Sequence, residues 1–408
     1  RIDSWNNNDL SKLPVFEPGL PEIIKAVRGS NLHFSTNLVD AIKNADMVFI
    51  SVNTPIKKSG IGAGQSSDLR WVEACARQIS KIALGHTIVV EKSTLPVRTA
   101  KTIKEILFAT NDNSNKEKSF SVLSNPEFLA EGTAIKDLES PDRVLIGGED
   151  LEAMLALKDI YLNWVSDEKI IFTNLWSSEL SKLSANAFLA QRISSINSIS
   201  AICEVTGANI QEVANAVGRD TRIGDKFLKA GPAFGGSCFK KDILNLVYLS
   251  KYYGLDQVAE YWEKVVDINY WQKNRIYEEI VKRLFGNLFD KKIAILGFAF
   301  KANTNDTRES PAIDICKNLI NEGASLLIHD YKVSEKSISK DLSSLDVNSW
   351  EYLPDVYDVI METDAMVILT EWDAYKKLDW ERISLNVRRP FWIFDTRSIL
   401  EVNKLENL

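Results

Sequence analysis

The chain has 408 residues, a formal net charge of −7 and 45% hydrophobic residues, enough for two or three domains with sizeable cores. Its acidic balance excludes a general attraction for nucleic acid or acidic membranes. Four cysteines without a Cys-x-x-Cys pair, and three scattered histidines (His33, His86, His329), exclude a disulfide framework and a zinc ribbon, and no metal is expected. No apolar run approaches the ~18 residues of a membrane span and no signal-peptide pattern opens the chain, so the expected compartment is cytoplasmic.

In chain order, short apolar runs at 46–52, 87–91, 120–123, 143–147 and 169–173 predict strands, separated by helical patterns near 69–84, 97–109 and 150–163. That alternation predicts a parallel, doubly wound sheet of the α/β class, with ligands at the carboxyl ends of its strands. Asn53-Thr54-Pro55, Lys92-Ser93-Thr94 and Asn125-Pro126-Glu127 all follow strand ends and predict a binding crevice. The Asn/Lys/Ser run at 111–118 reads as a solvated loop.

From Asn174, a candidate cap, a long helix is predicted, with Ile193, Ile196, Ile199 and Ile202 recurring every three residues. A second long helix spans about 255–285, carrying Leu255, Val258, Trp262, Val265, Val266, Ile268, Ile276 and Ile280. Two such helices between α/β units predict a scaffold or dimer interface. A further α/β unit has strands at 292–298, 325–329, 365–369 and 391–394, with 331–350 read as a surface excursion. The expected architecture is two Rossmann-like doubly wound parallel-sheet domains (1–173 and 289–408) joined by a long-helix domain (174–288).

Gly235-Gly236-Ser237-Cys238-Phe239-Lys240-Lys241-Asp242 carries the strongest chemical signal. Glycines allow backbone and ligand to approach closely, and neighbouring lysines favour the thiolate, the nucleophilic form of cysteine. Cys75, Cys203 and Cys316 lie in apolar helical patterns and read as buried thiols. Other marked segments are Phe16-Glu17-Pro18-Gly19-Leu20, Ser51-Val52-Asn53-Thr54-Pro55 and Glu91-Lys92-Ser93-Thr94-Leu95-Pro96. Residues 124–132 around Asn125-Pro126-Glu127, Ser178-Glu179-Leu180-Ser181-Lys182-Leu183, Gly297-Phe298-Ala299-Phe300-Lys301 and Asp306-Thr307-Arg308-Glu309-Ser310 follow.

Taken in order, these segments resemble the nucleotide-sugar 6-dehydrogenases, most closely the UDP-glucose branch of eukaryotic type. The resemblance implies NAD-dependent oxidation of the C6 alcohol of a UDP-sugar, UDP-glucose first, to a carboxylate. It makes Cys238 the nucleophile, carrying a thiohemiacetal and then a thioester. Lys182 would hydrogen-bond or deprotonate the reacting oxygen, with Asn186 four residues on and so on the same helix face. Alone, that pair would read as a solvated polar stripe. Glu127 would take part in thioester hydrolysis, Thr94 would orient the water, and Asp242 would tune the thiol and lysine.

The implied substrate residues are Glu127-Phe128-Leu129-Ala130-Glu131, Lys182-Leu183-Ser184-Ala185-Asn186 and Lys229-Ala230-Gly231-Pro232-Ala233-Phe234-Gly235, with Phe300, Lys301 and Arg397. Arg222 would enter a neighbouring subunit's site, making a homodimer the minimal unit, or a hexamer as a trimer of dimers. The implied NAD residues are Arg1, Val52-Asn53-Thr54-Pro55-Ile56, Ser93-Thr94-Leu95, Glu131, Cys238-Phe239-Lys240-Lys241 and Arg308. Departures from the family pattern are Ala302, Thr396 and the Pro232-Ala233 pair.

The family opens with a strand, a G-x-G-x-x-G turn, a helix and a second strand ending in Asp. Arg1 matches a position just past that Asp, so the first domain is expected to be incomplete and this polypeptide alone to lack NAD-dependent turnover. Two alternatives stand beside the main reading. One is a dehydrogenase of another UDP- or GDP-sugar; the other is a non-catalytic subunit that binds nucleotide sugar.

Overall fold

Five strands form the first sheet: β1 (Met47–Ile50), β2 (His86–Glu91), β3 (Ser119–Ser124), β4 (Val144–Gly147) and β5 (Ile170–Thr173), adjacent in that order. They belong to a computed structural model that describes residues 1–109, 118–401 and 405. The expected loop at 111–118 therefore lies outside the described residues except for Lys118, whose Nζ donates to the carbonyls of Ser80 and Lys81 at 3.3 Å. The strands are apolar on both faces because helices cover both. Val89 packs with Val72, Ile79, Ile103 and Leu107 of the helices Arg70–Ile82 and Thr99–Ala109. Its neighbour Val90 points the other way, against Met154 and Leu157 of the helix Leu151–Tyr161.

The sheet departs from the expected all-parallel arrangement at one pair. β1–β2, β2–β3 and β4–β5 are parallel, but β3 and β4 run antiparallel. The cause lies in the connection. Its helix, Ala134–Glu139, has six residues and buries none of them, so it does not pack across the sheet as a parallel crossover requires.

The second sheet comprises β6 (Lys292–Leu296), β7 (Ser325–His329), β8 (Trp350–Tyr352), β9 (Ala365–Ile368) and β10 (Trp392–Asp395). Its order is β10-β9-β6-β7-β8, all parallel, so the direction of winding reverses beside β6. Ile293 and Ile295 face one core, and Ala294 and Leu296 face the other.

Residues 331–350 are not the expected surface excursion. Val333, Ile338 and Leu342 are at most 2% exposed in the core of this sheet, and the segment forms the helix Glu335–Asp341 before delivering β8. Widely spaced apolar residues among serines, lysines and aspartates hid a short amphipathic helix.

Asn174 does cap the helix Leu175–Thr206, its Oδ1 accepting from the Ser177 N–H at 2.8 Å. The expected isoleucine stripe packs only in part, since Ile196 is buried and Ile193 half-buried but Ile199 and Ile202 are exposed. Ala187, Ala190, Ser194, Asn197 and Ser200 are buried instead, and the Ser194 hydroxyl reaches the Val265 carbonyl of the helix Asp256–Arg283 at 2.9 Å. Small side chains allow that close approach.

The chain separates into two compact units, residues 1–186 with 241–260 and residues 187–240 with 261–408. The first holds β1–β5 and the second β6–β10.

Candidate active site

In the first unit, three polar loops leave the carboxyl ends of β1, β2 and β3, which share one direction. The Ser93 hydroxyl donates to the Val52 carbonyl at 2.7 Å, and the Thr54 hydroxyl donates to the Thr94 carbonyl at 3.0 Å. Lys241 Nζ donates to Thr54 Oγ1 at 3.2 Å, placing an ammonium at this edge. Ile56 forms a short bridge with Ser67, while Asn53 is exposed and Leu95 buried. Of the residues expected to hold the cofactor, Val52, Thr54, Ser93, Thr94 and Lys241 are thus linked directly. Arg1 is exposed at the start of a four-residue helix and has no part in this network.

The loop after β3 is held along its length. Glu127 Oε2 accepts from the Leu129 N–H at 2.7 Å, and Asp137 accepts from the Ala130 N–H at 2.9 Å. Glu17, from a segment far upstream, accepts from the N–H groups of Gly132 (2.8 Å) and Ala134 (2.6 Å). Residues 125–130 are not helical, so the four-residue spacing of Glu127 and Glu131 puts them on no common face.

Lys182, only 4% exposed, stands 3.6 Å from Glu127 Oε1 and 5.3 Å from the centroid of the Phe128 ring. A second cation lies over Phe128, the Arg143 guanidinium, 3.8 Å from the same centroid. One helical turn beyond Lys182, Asn186 donates to Asp242 Oδ2 at 2.6 Å. Asp242 is 1% exposed, and its other oxygen lies 3.7 Å from Lys241 Nζ. Burial pushes the Asp242 carboxyl above its usual range, against the pull of Lys241, Asn186 and Lys182. Leu183 is buried, and Ser184 and Ala185 are half-buried on the same helix.

Two further carboxyls lie just beneath. Glu179 accepts from the N–H groups of Arg98 (2.6 Å) and Ala100 (2.8 Å), capping the helix Thr99–Ala109. Glu91, 1% exposed, is held far above its usual range by burial and by Glu179.

In the second unit, Gly231–Gly236 is a buried loop, with Cys238 exposed at its end. Buried amides of the two long helices clamp it. Asn197 Oδ1 accepts from the Gly231 N–H at 2.9 Å, and Gln272 Nε2 donates to the Gly231 carbonyl at 2.9 Å. Asn269 bonds both the N–H (2.8 Å) and the carbonyl (3.0 Å) of Phe234. The Gly236 N–H donates to the Arg308 carbonyl at 2.9 Å, and Phe300 packs on Gly236 so closely that a Cβ there would meet its ring at 3.0 Å.

Arg397 holds the Phe300 loop in turn, donating to the carbonyls of Phe300 (3.0 Å) and Leu369 (2.8 Å) and pairing with Glu371 at 3.1 Å. Lys301 Nζ lies 5.6 Å from the centre of the Phe300 ring. Lys240 pairs with Glu309 at 2.9 Å, and Arg308 is bound to Asp306. Lys229 is exposed, as is Arg222, whose guanidinium grips Asp220 at 2.6 and 3.0 Å.

Sequence reasoning marked the segments holding Glu17 and Glu179 without giving either a role, and it missed Asn197, Asn269 and Gln272. The signal for the last three was available: amides set three apart or alone within otherwise apolar helix faces. Among the described residues, no group of three or more potential metal ligands occurs and no helix is long and apolar enough to cross a membrane.

The chain is similar to known proteins along nearly its whole length. Residues 1–165, 176–271 and 294–402 match the NAD binding, central and UDP binding domains of the UDP-glucose/GDP-mannose dehydrogenase family. UDP-glucose 6-dehydrogenase 4 of Arabidopsis thaliana is 50% identical over all of this chain and 88% of its own length. The Mus musculus UDP-glucose 6-dehydrogenase is 54% identical over 98% of this chain and 82% of its own. The solved UDP-glucose dehydrogenase of Pyrobaculum islandicum superposes with a TM-score of 0.82 at 30% identity, covering 96% of this chain and 85% of that one. The chain belongs to the UDP-glucose/GDP-mannose dehydrogenase family and is an NAD-dependent oxidoreductase.

Proposed function

We propose that the chain oxidises the C6 alcohol of UDP-glucose to the carboxylate of UDP-glucuronate, with Cys238 as covalent carrier. The observation that carries this reading is a buried lysine 3.6 Å from a carboxylate, followed one turn later by an amide fixed on Asp242, four residues beyond the exposed Cys238. An alcohol-to-acid oxidation needs this set: a proton-transfer group, a nucleophile and a base for water.

NAD⁺ fits the carboxyl edge of β1–β3, where the Thr54 and Ser93 hydroxyls tie the loops together through the carbonyls of Thr94 and Val52 and Lys241 brings a positive charge. When bound, it accepts a hydride from C6 in each oxidation. Lys182, with Asn186 beside it, assists departure of the C6 hydroxyl proton. The Cys238 thiolate then adds to the aldehyde carbon, forming a C–S bond and an oxyanion that Lys182 stabilises. After the second oxidation this adduct is a thioester. A water molecule gives a proton to Glu127 and attacks the thioester carbon. The C–S bond breaks, the thiolate returns, and the carboxylic acid so formed gives its proton to solvent, so the sugar leaves as a carboxylate. The loop 229–235, with Phe300, Lys301 and Arg397, holds the nucleotide sugar, since charge-assisted bonds suit a diphosphate.

The same reading divides the chain into cofactor (1–173), central (174–288) and UDP-binding (289–408) domains. It makes a homodimer the minimal unit, because Arg222 is 87% exposed and available to a neighbouring copy. It also requires a reducing compartment such as the cytosol, to keep Cys238 a thiol.

The deciding experiment compares the full protein with Cys238→Ser on UDP-glucose and GDP-mannose. Two NADH per UDP-glucose and a mass adduct on the Cys238 peptide are expected, with binding but no turnover in the serine variant. Parental UDP-glucuronate release by Cys238→Ser would refute the covalent route, and faster oxidation of GDP-mannose would reassign the substrate.

A further inference from the structure

Lys92, at the carboxyl end of β2, has no place in the reaction just described, yet its surroundings are unusually well built. Its Nζ donates to Asn125 Oδ1 at 2.9 Å and to the Tyr161 hydroxyl oxygen at 3.0 Å. Tyr161 donates its own hydrogen to the same Asn125 oxygen at 2.7 Å, closing a triangle. Asn125 spends its remaining groups on the two neighbouring strands, Nδ2 on the Leu145 carbonyl at 2.7 Å and the backbone N–H on the Glu91 carbonyl at 2.9 Å. Asn125 is 1% exposed, and two residues later the chain presents Glu127.

Withdrawing an ammonium from water is costly, and an apolar side chain of similar length would fill this space without that cost. The attractive charge acting on Lys92 is the Glu127 carboxylate, from the loop after β3, beyond ion-pair distance. The other titratable group packed on it is Tyr161, from the helix Leu151–Tyr161, whose hydroxyl burial keeps neutral. We propose that Lys92 is a positioning residue for thioester hydrolysis: its ammonium, fastened to Asn125 and Tyr161, fixes the loop that presents Glu127. This rests on the covalent reading above. Burial also brings the Lys92 pKa down to about 8, so the clamp is charged at neutral pH and discharges just above it. Hydrolysis should therefore decline in mildly alkaline solution.

The test uses the full protein with Lys92→Met, Lys92→Arg and, as a benchmark, Glu127→Gln. Steady-state rates are followed with NADH formation, and quenched samples are scanned by mass spectrometry for a thioester on Cys238. Lys92→Met should lower kcat by ~10–100-fold, the scale of a displaced catalytic group, with little change in KM for UDP-glucose. It should accumulate the thioester as Glu127→Gln does. Lys92→Arg, which stays charged at every accessible pH, should restore most of the rate and lose the alkaline decline. Should Lys92→Met not fold, the pH profile of Lys92→Arg decides alone. A parental kcat in Lys92→Met, slowing without thioester while Glu127→Gln accumulates it, or an unchanged alkaline decline in Lys92→Arg would overturn the proposal. No thioester in Glu127→Gln itself would instead bring down the covalent reading, and this inference with it.

Discussion

Replacing Gly235 by alanine tests whether the glycine loop is held to its neighbours tightly enough to aim Cys238. A Cβ at Gly235 would sit 2.7 Å from the Glu309 carbonyl oxygen and 2.7 Å from Phe300 Cβ. Neither neighbour yields easily. Glu309 lies in a turn at φ +54°, and the next residue, Ser310, is 1% exposed, capping the helix Pro311–Asn321 while its hydroxyl holds the Phe298 carbonyl at 2.8 Å. Phe300 is tied through its N–H to Asp306 and through its carbonyl to Arg397. The loop itself must therefore move, and Cys238 lies three residues on.

Overpacking of this kind costs ~1–3 kcal/mol, to be read from the denaturant midpoint. A displacement near 1 Å costs up to ~100-fold in kcat. Gly231→Ala is the contrast, since its new methyl would meet the Arg397 guanidinium at 3.3 Å, the end of a long side chain. That variant should bind UDP-glucose more weakly with little loss of stability. Parental kcat and midpoint in Gly235→Ala would refute the reasoning.

Asp242→Asn should raise stability at pH above the native carboxyl's pKa while abolishing most turnover. The native carboxyl titrates above its unfolded value because of burial, so its stabilising contribution is present at acid pH and is lost as pH rises through the native pKa. Unfolding midpoints against pH would show a flatter profile in the variant. Glu91→Gln should be tolerated, because it replaces a buried carboxyl that burial and Glu179 hold far above its usual range with a neutral group of the same shape. Glu179→Leu should instead cost ~1.5–3 kcal/mol for each charged hydrogen bond lost to Arg98 and Ala100, measured by urea titration. Asn269→Leu leaves both backbone groups of Phe234 without their partner and should cost ~1–3 kcal/mol, with a raised KM for UDP-glucose.

Much of this protein is local and therefore legible along the chain. The nine expected strands are continuous apolar runs, and all nine form. The loops at 53–55, 92–94 and 125–127 follow strand ends of one direction, so they share an edge. Lys182 and Asn186 share a face by helical spacing alone, and Asn174 could be recognised as a cap. Other features depend on partners far away in sequence. The antiparallel entry of β4 reflects how little the helix Ala134–Glu139 buries, which its composition does not reveal. Residues 331–350 became core because Val333, Ile338 and Leu342 met one face of the second sheet, and Ile199 and Ile202 stayed exposed because small and amide side chains made the closer helix contact. The clamps on the glycine loop join residues 34 to 41 positions apart, and Lys92 finds Tyr161 across 69. Periodicity records which side of an element is apolar. It carries no record of what that side will face, and here the facing groups decided which polar residues serve the site.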